Sequence, residues 1–159
     1  MKTQKYYDKL YKKVNDILSF STPLHKDCGK LCGKKCCKGD EETGMLLFPF
    51  EKTTLAVKEE NGVRVAVCSG TCNREERPLS CRIFPFFPYI NAEGKIEVKR
   101  DLRGLSVCPL VAISDEVKWN RGFLFRVKRV GQLLKKDEAI FDFLKKQSEE
   151  IDTIADFVE

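Results

Sequence analysis

The sequence predicts an α+β domain in which an N-terminal helix, two β-hairpins and C-terminal helices surround a cysteine-rich metal-binding centre. Three observations lead to this fold class: helical spacing of apolar residues near both ends, turn signals in the middle, and eight cysteines between positions 28 and 108. A chain of 159 residues is suited to one domain, 1–159. Within it, residues 24–110 form the cysteine-cluster region and residues 111–159 a helical C-terminal part.

The first predicted element is an amphipathic helix over residues 4–19. Its apolar and aromatic residues recur at intervals of three and four positions, which places them on one helical face. These residues are Tyr6, Tyr7, Leu10, Tyr11, Val14, Ile17 and Leu18. We interpret the stripe as core packing, because such faces are usually buried against the rest of a domain.

The first predicted hairpin is centred on Asn61-Gly62, in the stretch TLAVKEENGVRVAVC. Asn-Gly favours a two-residue turn because both positions adopt positive φ. We expect strands near 53–58 and 63–68, with Cys68 at the end of the second and pointing away from the face of its valines.

A second hairpin is predicted in CRIFPFFPYINAEGKIEVKRD, with its turn at Asn91–Gly94. Pro85 and Pro88 have no backbone N–H to donate, so the first strand is expected at a sheet edge or broken. Cys81 and Arg82 are expected at the start of this hairpin.

The residues after Cys108-Pro109 are expected to be helical. Ser114 followed by two acidic residues resembles a helix N-cap, and apolar spacing continues the helix to about residue 135. Asp137 is positioned to cap another helix. A last short helix is expected around Ile151, Ile154 and Phe157.

The cysteines carry the functional signal. Residues 24–44 include DCGKLCGKKCC and contain too little apolar surface to order themselves by burial. Metal ligation would supply that order. Thiolates are preferred ligands of zinc and iron, and four of them close a tetrahedral site. The candidate ligands are Cys28, Cys32, Cys36, Cys37, Cys68, Cys72, Cys81 and Cys108.

The N-terminus, MKTQKYYDKLYKK, lacks the apolar core of a signal peptide, and no apolar run approaches membrane-spanning length. We therefore expect a cytoplasmic protein without a membrane partner. Because disulfides are rare in that compartment, metal or an iron–sulfur cluster is favoured over disulfide bonds or eight unrelated thiols.

Three other side chains are candidates for the same centre. Arg77 and Arg82 flank Cys81, and their guanidinium groups could donate to thiolate sulfur, although surface arginines are equally expected there. His25, the sole histidine, lies three residues before Cys28 and is a possible extra ligand, although an exposed histidine is the commoner case.

The segments CGKLCGKKCC, CSGTCNREERPLSCRIFPF and SVCPL together resemble the CxxCxxCC family of zinc- or iron-chelating proteins. The resemblance covers about residues 24 to 110, and its most specific part is the Arg-Pro-x-x-Cys-Arg-x-Phe-Pro stretch from Arg77 to Pro85. The first cluster has x3 spacing, which is looser than the family's name. The resemblance implies metal chelation. A more distant likeness to flagellin lysine methylases implies iron–sulfur chemistry by analogy.

Three functions are therefore open at this point. The first is a zinc- or iron-chelating protein whose ions are mainly structural. The second is an iron–sulfur enzyme, such as a protein-modifying methyltransferase or an oxidoreductase. The third is a zinc-dependent nucleic-acid-binding module, which is less favoured because the basic residues between Lys118 and Arg129 scatter around the predicted helix. The chain contains neither an HExxH nor a deaminase-type zinc motif.

Overall fold

The computed structural model describes residues 2–25, 44–68, 76–106, 108–113 and 116–158. Within these ranges, five α-helices combine with two small antiparallel sheets, which confirms the α+β class. The first half of the described chain contributes α1 (Gln4–Leu18), β1 (Gly44–Leu46), β2 (Val57–Glu60), β3 (Val63–Val67) and α2 (Leu79–Ile83). The second half contributes β4 (Phe86–Ile90), β5 (Ile96–Arg100), a 3-10 turn (Leu102–Gly104), α3 (Pro109–Ala112), α4 (Arg121–Leu134) and α5 (Glu138–Val158).

Helix α1 confirms the predicted N-terminal helix to within one residue. Thr3 caps it, with its hydroxyl oxygen accepting from the Tyr6 N–H at 3.3 Å. The helix packs against α4. Its buried residues are Tyr7, Leu10, Tyr11, Val14 and Leu18.

The first hairpin turns where Asn61-Gly62 predicts it, but its first strand is β2, Val57–Glu60, and not 53–58 as predicted. Asn61 has φ 53° and Gly62 has φ 80°, so both turn residues adopt the left-handed conformation that this turn requires. The sequence did not reveal a third strand: β1 pairs antiparallel with the other edge of β3, giving the order β1-β3-β2. The strand that leads to Cys68 is therefore the central strand of this sheet.

The second hairpin, β4–β5, also confirms its prediction and forms a separate two-stranded sheet. Each strand is an edge strand of this sheet. Pro88, which has no backbone N–H to donate, can therefore lie opposite Val98. All five residues of β4 are buried, because α4 and α5 both pack against it. The N–H of Ile90, at the end of β4, donates at 2.9 Å to the buried hydroxyl of Ser148 on α5.

Three helical predictions require correction. Helix α4 begins at Arg121, and its N-cap is Asn120, whose Oδ1 accepts from the Phe123 N–H at 3.3 Å. Val117 precedes that helix, and Ser114 lies outside the described residues. The two helices predicted after residue 137 are one continuous helix, α5, with Asp137 accepting from the Ile140 N–H as expected.

Cys81 and Arg82 lie in the short helix α2, not at the start of the second hairpin as predicted. The helix ends at Ile83, and β4 begins only after Phe84 and Pro85. Prolines on both sides of LSCRI limit the segment to a single helical turn, because neither end can extend through a proline.

Two hydrophobic clusters hold the described residues together. The larger one joins α1, α2, α4 and α5 with β4, β5 and Phe48. The smaller one contains Leu24, Cys108, Leu110 and Val111, with Phe84 among the half-buried residues against it. None of the described helices has the length and apolarity needed to cross a bilayer.

Candidate metal centre

The structure describes three of the eight candidate cysteine ligands: Cys68, Cys81 and Cys108. Cys28, Cys32, Cys36, Cys37 and Cys72 lie outside the described residues. The geometry of the candidate centre is therefore built from Cys68, Cys81 and the side chains that position them.

Cys68 and Cys81 are brought into contact, although one follows β3 and the other lies in α2. Their thiols are hydrogen-bonded to each other, and both residues are half-buried. The hydrogen bond from Cys81 lowers the pKa of Cys68 to about 7, and this effect outweighs partial burial, which raises the pKa. A thiolate of this kind is the form that binds metal ions.

Cys68 is placed by the centre of the three-stranded sheet. Val67, the residue before it, pairs with Gly44 of β1 on one side and donates its N–H to Ala56 at 2.8 Å on the other. Since β3 is hydrogen-bonded along both edges, the position of the backbone that enters Cys68 is fixed.

Cys81 is placed by contacts that its neighbours in α2 make. The Ser80 hydroxyl donates to the carbonyl of Leu46, at the end of β1, at 2.5 Å. Arg82 donates from one nitrogen to Asn15 Oδ1 and from another to the Ser19 carbonyl at 2.6 Å. Helix α2 is therefore tied to the sheet on one side and to the end of α1 on the other.

Glu51 makes a third attachment, which sequence reasoning missed. It is only 6 % exposed, and its carboxylate accepts from the N–H of Leu79 at 2.8 Å and from the N–H of Phe48 at 3.0 Å. Burial raises the pKa of Glu51, whereas these two hydrogen bonds and the charge of Arg64 lower it, and the net shift is upward. Glu51 follows Phe48 by three residues, the spacing at which a Glu side chain reaches back to a backbone N–H, and this was the available signal.

The predicted roles of Arg77 and Arg82 toward sulfur remain predictions. One guanidinium nitrogen of Arg82 donates to the carbonyl of Ser19. Arg77 is half-buried and lines a cleft of about 530 Å³ between α1, residues 51–54 and the start of α2.

Cys108 lies in the smaller hydrophobic cluster and is 7 % exposed. Its N–H donates to the Gly104 carbonyl at 2.8 Å, and its own carbonyl accepts from Val111 at the start of α3. Leu24 belongs to the same cluster, whereas the adjacent His25 is exposed.

Among the described residues, no group of three or more His, Cys, Asp or Glu side chains is arranged to hold a metal ion. Four thiolates close a tetrahedral site, so the two thiols of Cys68 and Cys81 would account for half of one. Two adjacent, half-buried thiols suit zinc or iron, both of which prefer thiolate sulfur.

Comparison with known proteins returned no matching family model, no matching curated protein and no matching solved structure. The case for a function therefore depends on the residues and their geometry.

Proposed function

We propose that this chain is a cysteine-cluster metal-binding protein that chelates zinc or iron through thiolates. The observation that carries the proposal is the contact between the thiols of Cys68 and Cys81. These residues come from different elements, so their contact is a product of the fold and not of sequence proximity.

The surroundings of the two thiols also support a ligand role. A cysteine that serves only as a small hydrophobic residue is normally buried in an apolar core, as Cys108 is among Leu24, Leu110 and Val111. Cys68 and Cys81 are instead half-buried, and neither belongs to the two hydrophobic clusters of the described residues. In this proposal the remaining ligands come from Cys28, Cys32, Cys36, Cys37 and Cys72, with Cys108 as a further candidate.

The resemblance of CGKLCGKKCC and RPLSCRIFP to the CxxCxxCC family supports the same chemistry. An iron–sulfur enzyme is the alternative, because a cluster held by cysteines can leave one iron open to substrate. Both possibilities use the same ligands, so the identity of the metal distinguishes them.

The test is to purify the full chain without oxygen and to measure zinc, iron and acid-labile sulfide per chain, together with the absorption spectrum. We expect tightly held metal with thiolate-to-metal charge-transfer absorption, either directly for iron or after cobalt replaces zinc. Zinc without sulfide would support the chelating protein with a structural ion, and iron with sulfide would support the enzyme. Metal-free protein that takes up none of zinc, cobalt or iron would overturn the proposal.

Serine variants locate the ligands. Cys68→Ser and Cys81→Ser should each lower the metal content and weaken the charge-transfer band. Ile113→Ser, at an exposed position, is the matched control and should leave both unchanged. Retention of full metal content by both cysteine variants would show that this pair is not part of the centre.

A further inference from the structure

We infer that Glu51 is a positioning residue that holds Cys81 against Cys68. The inference rests on the proposed function for its significance, because it explains how two ligands are fixed before a metal binds. Its evidence is a set of contacts that includes neither thiol.

Glu51 is buried. Its two carboxylate oxygens accept backbone N–H groups from two separate segments, Phe48 at 3.0 Å and Leu79 at 2.8 Å. Charge-assisted bonds of this type are stronger than neutral ones, and they are worth most when the acceptor is shielded from water.

The bond to Leu79 replaces a missing helix cap. Leu79 is the first residue of α2, and the N-cap position is occupied by Pro78, which has no side-chain acceptor. A negative charge at a helix N-terminus satisfies an N–H that would otherwise have no partner within the helix. Glu51 therefore caps from a distant segment the helix that contains Cys81.

The turn from Phe48 to Glu51 is attached to the strand that leads to Cys68. The carbonyls of Phe48 and Glu51 both accept from Nη2 of Arg64, at 3.1 Å and 3.0 Å. Arg64 lies in β3, the strand that Cys68 follows. A continuous series of hydrogen bonds thus runs from β3 through Arg64, the Phe48–Glu51 turn and the Glu51 carboxylate to α2.

This connection makes a specific prediction for the distance between the two thiols. If the Glu51 bond to Leu79 is lost, α2 keeps its ties through Ser80 and Arg82 and keeps its buried apolar residues, but its N-terminal turn loses its hydrogen-bonded connection to β3. Cys81 should then spend less time in contact with Cys68, even in a chain that remains folded.

The experiment measures how readily Cys68 and Cys81 form a disulfide in the full chain, kept metal-free by a chelator. In glutathione buffers the two thiols lose two electrons and two protons to form the disulfide, while oxidised glutathione is reduced to two glutathione molecules. After acid quenching, peptide mapping by mass spectrometry quantifies the Cys68–Cys81 disulfide and gives its effective concentration.

Glu51→Gln is the primary variant, because it keeps the shape of the side chain but places an amide N–H₂ against one of the two backbone donors. We expect the effective concentration to fall by at least about tenfold, the loss typical of a charged hydrogen bond. Glu51→Asp keeps the charge, but its side chain is too short to reach both donors. Its effective concentration should lie between those of the parent chain and Glu51→Gln. Glu97→Gln, at an exposed position in β5, is the matched control and should match the parent chain.

Circular dichroism under the same conditions establishes that each variant is folded, and Glu51→Asp serves as the test if Glu51→Gln does not fold. An unchanged effective concentration in the folded variants, whatever their melting temperature, would show that Glu51 is merely structural and would overturn the inference. The inference would also be overturned if the effective concentration in the parent chain were no higher in buffer than in strong denaturant. If the parent chain binds no metal, the proposed function fails. A lower effective concentration of the disulfide in the Glu51 variants would still support the inference in that case.

Discussion

At the residue scale, two arginines from distant parts of the chain donate hydrogen bonds to backbone carbonyls at the C-terminal end of α1. The last turn of α1, Asn15 to Leu18, contains no basic residue. Arg82 donates to the Ser19 carbonyl and Arg126 donates to the Ile17 carbonyl, so the exposed carbonyl end receives two positive charges. This arrangement is favourable because the C-terminus of a helix carries partial negative charge. It also makes Arg82 a link between α1 and the helix that contains Cys81.

Side chains of α1 hold the Phe48–Glu51 turn as well. The Tyr11 hydroxyl donates to the Pro49 carbonyl at 2.6 Å, and the ring of Tyr7 stacks on Phe50 with centroids 4.1 Å apart. Phe50 has φ 63°, a conformation that costs energy for a residue with a Cβ. The stacking and the bonds around the turn help to offset that cost, and this keeps Glu51 in place.

Asp137 provides the first test at this scale. Its buried carboxylate accepts from the Ile140 N–H at 3.1 Å, which caps α5, and from Lys2 Nζ at 3.0 Å. Burial raises the pKa of Asp137, but the hydrogen bonds from Lys2, Ile140 and Tyr7 outweigh it, so the net pKa lies below its usual value. Because the folded-state pKa is lowered, Asp137 stabilises the fold above its unfolded-state pKa. This contribution is lost as the pH falls through the folded-state value.

We expect Asp137→Ala to lower the free energy of unfolding at neutral pH by about 1–2 kcal/mol, the usual cost of a lost N-cap. Asp137→Asn keeps a cap acceptor but removes the charge, so it should cost less and should flatten the acid limb of the stability curve. Urea denaturation between neutral pH and the acid limb measures both effects. An acid limb as steep in Asp137→Asn as in the parent would contradict this assignment.

At the element scale, the local features were predictable and the long-range ones were not. Asn61-Gly62 determines its hairpin within a few residues, and the spacing of Tyr7, Leu10, Tyr11 and Val14 identifies α1 without outside information. Strand β1 has only three residues, and its register, Met45 opposite Ala66, depends on a partner far along the chain. Such a strand gives no periodic signal of its own.

The start of α4 shows the same limit. The sequence pointed to Ser114 with its acidic neighbours, whereas Asn120 caps the helix, and serine and asparagine are about equally favoured as N-caps. The N–H of Asn120 donates to the Pro23 carbonyl at 2.8 Å, and Trp119 packs edge-on against Phe86 at 4.7 Å between ring centroids. These tertiary contacts favour a start at Arg121, and they are invisible in a local sequence window.

Gly131 tests the packing of α4 on the second hairpin. A Cβ at this position would lie 2.7 Å from Pro88 Cβ and 2.9 Å from Ile96 Cγ2, both closer than van der Waals contact. Alanine is a better helix former than glycine by about 1 kcal/mol. Overpacking against β4 and β5 typically costs about 1–3 kcal/mol, so after this gain Gly131→Ala should still lower the free energy of unfolding, by up to about 2 kcal/mol.

Gly122→Ala in the same helix is the control for helix propensity. Its Cβ would meet only the Asn120 side chain, at 3.3 Å, which is a milder contact. We expect a much smaller change than for Gly131→Ala, measured by thermal and urea denaturation of both variants. Equal effects at the two positions would show that close packing of α4 on the hairpin is not what excludes a side chain at Gly131.

At the scale of the whole molecule, the larger hydrophobic cluster reaches the helix that contains Cys81 but not the sheet that leads to Cys68. It buries residues of α1, α4, α5 and the second hairpin, together with Leu79 and Ile83 of α2 and Phe48. In the three-stranded sheet that leads to Cys68, only Ala66 is fully buried. The sequence identified the cysteines by their number and setting. It could not show that Cys68 meets Cys81, because that contact depends on β1, α2 and Glu51, none of which it predicted.

The difference in burial predicts how the protein responds to metal removal. Burial stabilises the larger cluster by roughly 25 cal/mol per Å² of apolar surface, whereas the sheet beside Cys68 gains little in this way. A structural thiolate site can supply about 10 kcal/mol or more. A strong chelator should therefore increase hydrogen exchange first at the amide of Val67, which directly precedes Cys68 at the end of that sheet.

Amides within α4 and α5 should remain protected longer, because their side chains lie in the larger cluster. Hydrogen exchange followed by mass spectrometry, with and without chelator, measures this order, and the Cys68→Ser chain is the control that should not respond further. Loss of protection everywhere at the same time would show that the metal supports the whole fold. An unchanged exchange pattern in the parent chain would show that the cysteines bind nothing on which this structure depends.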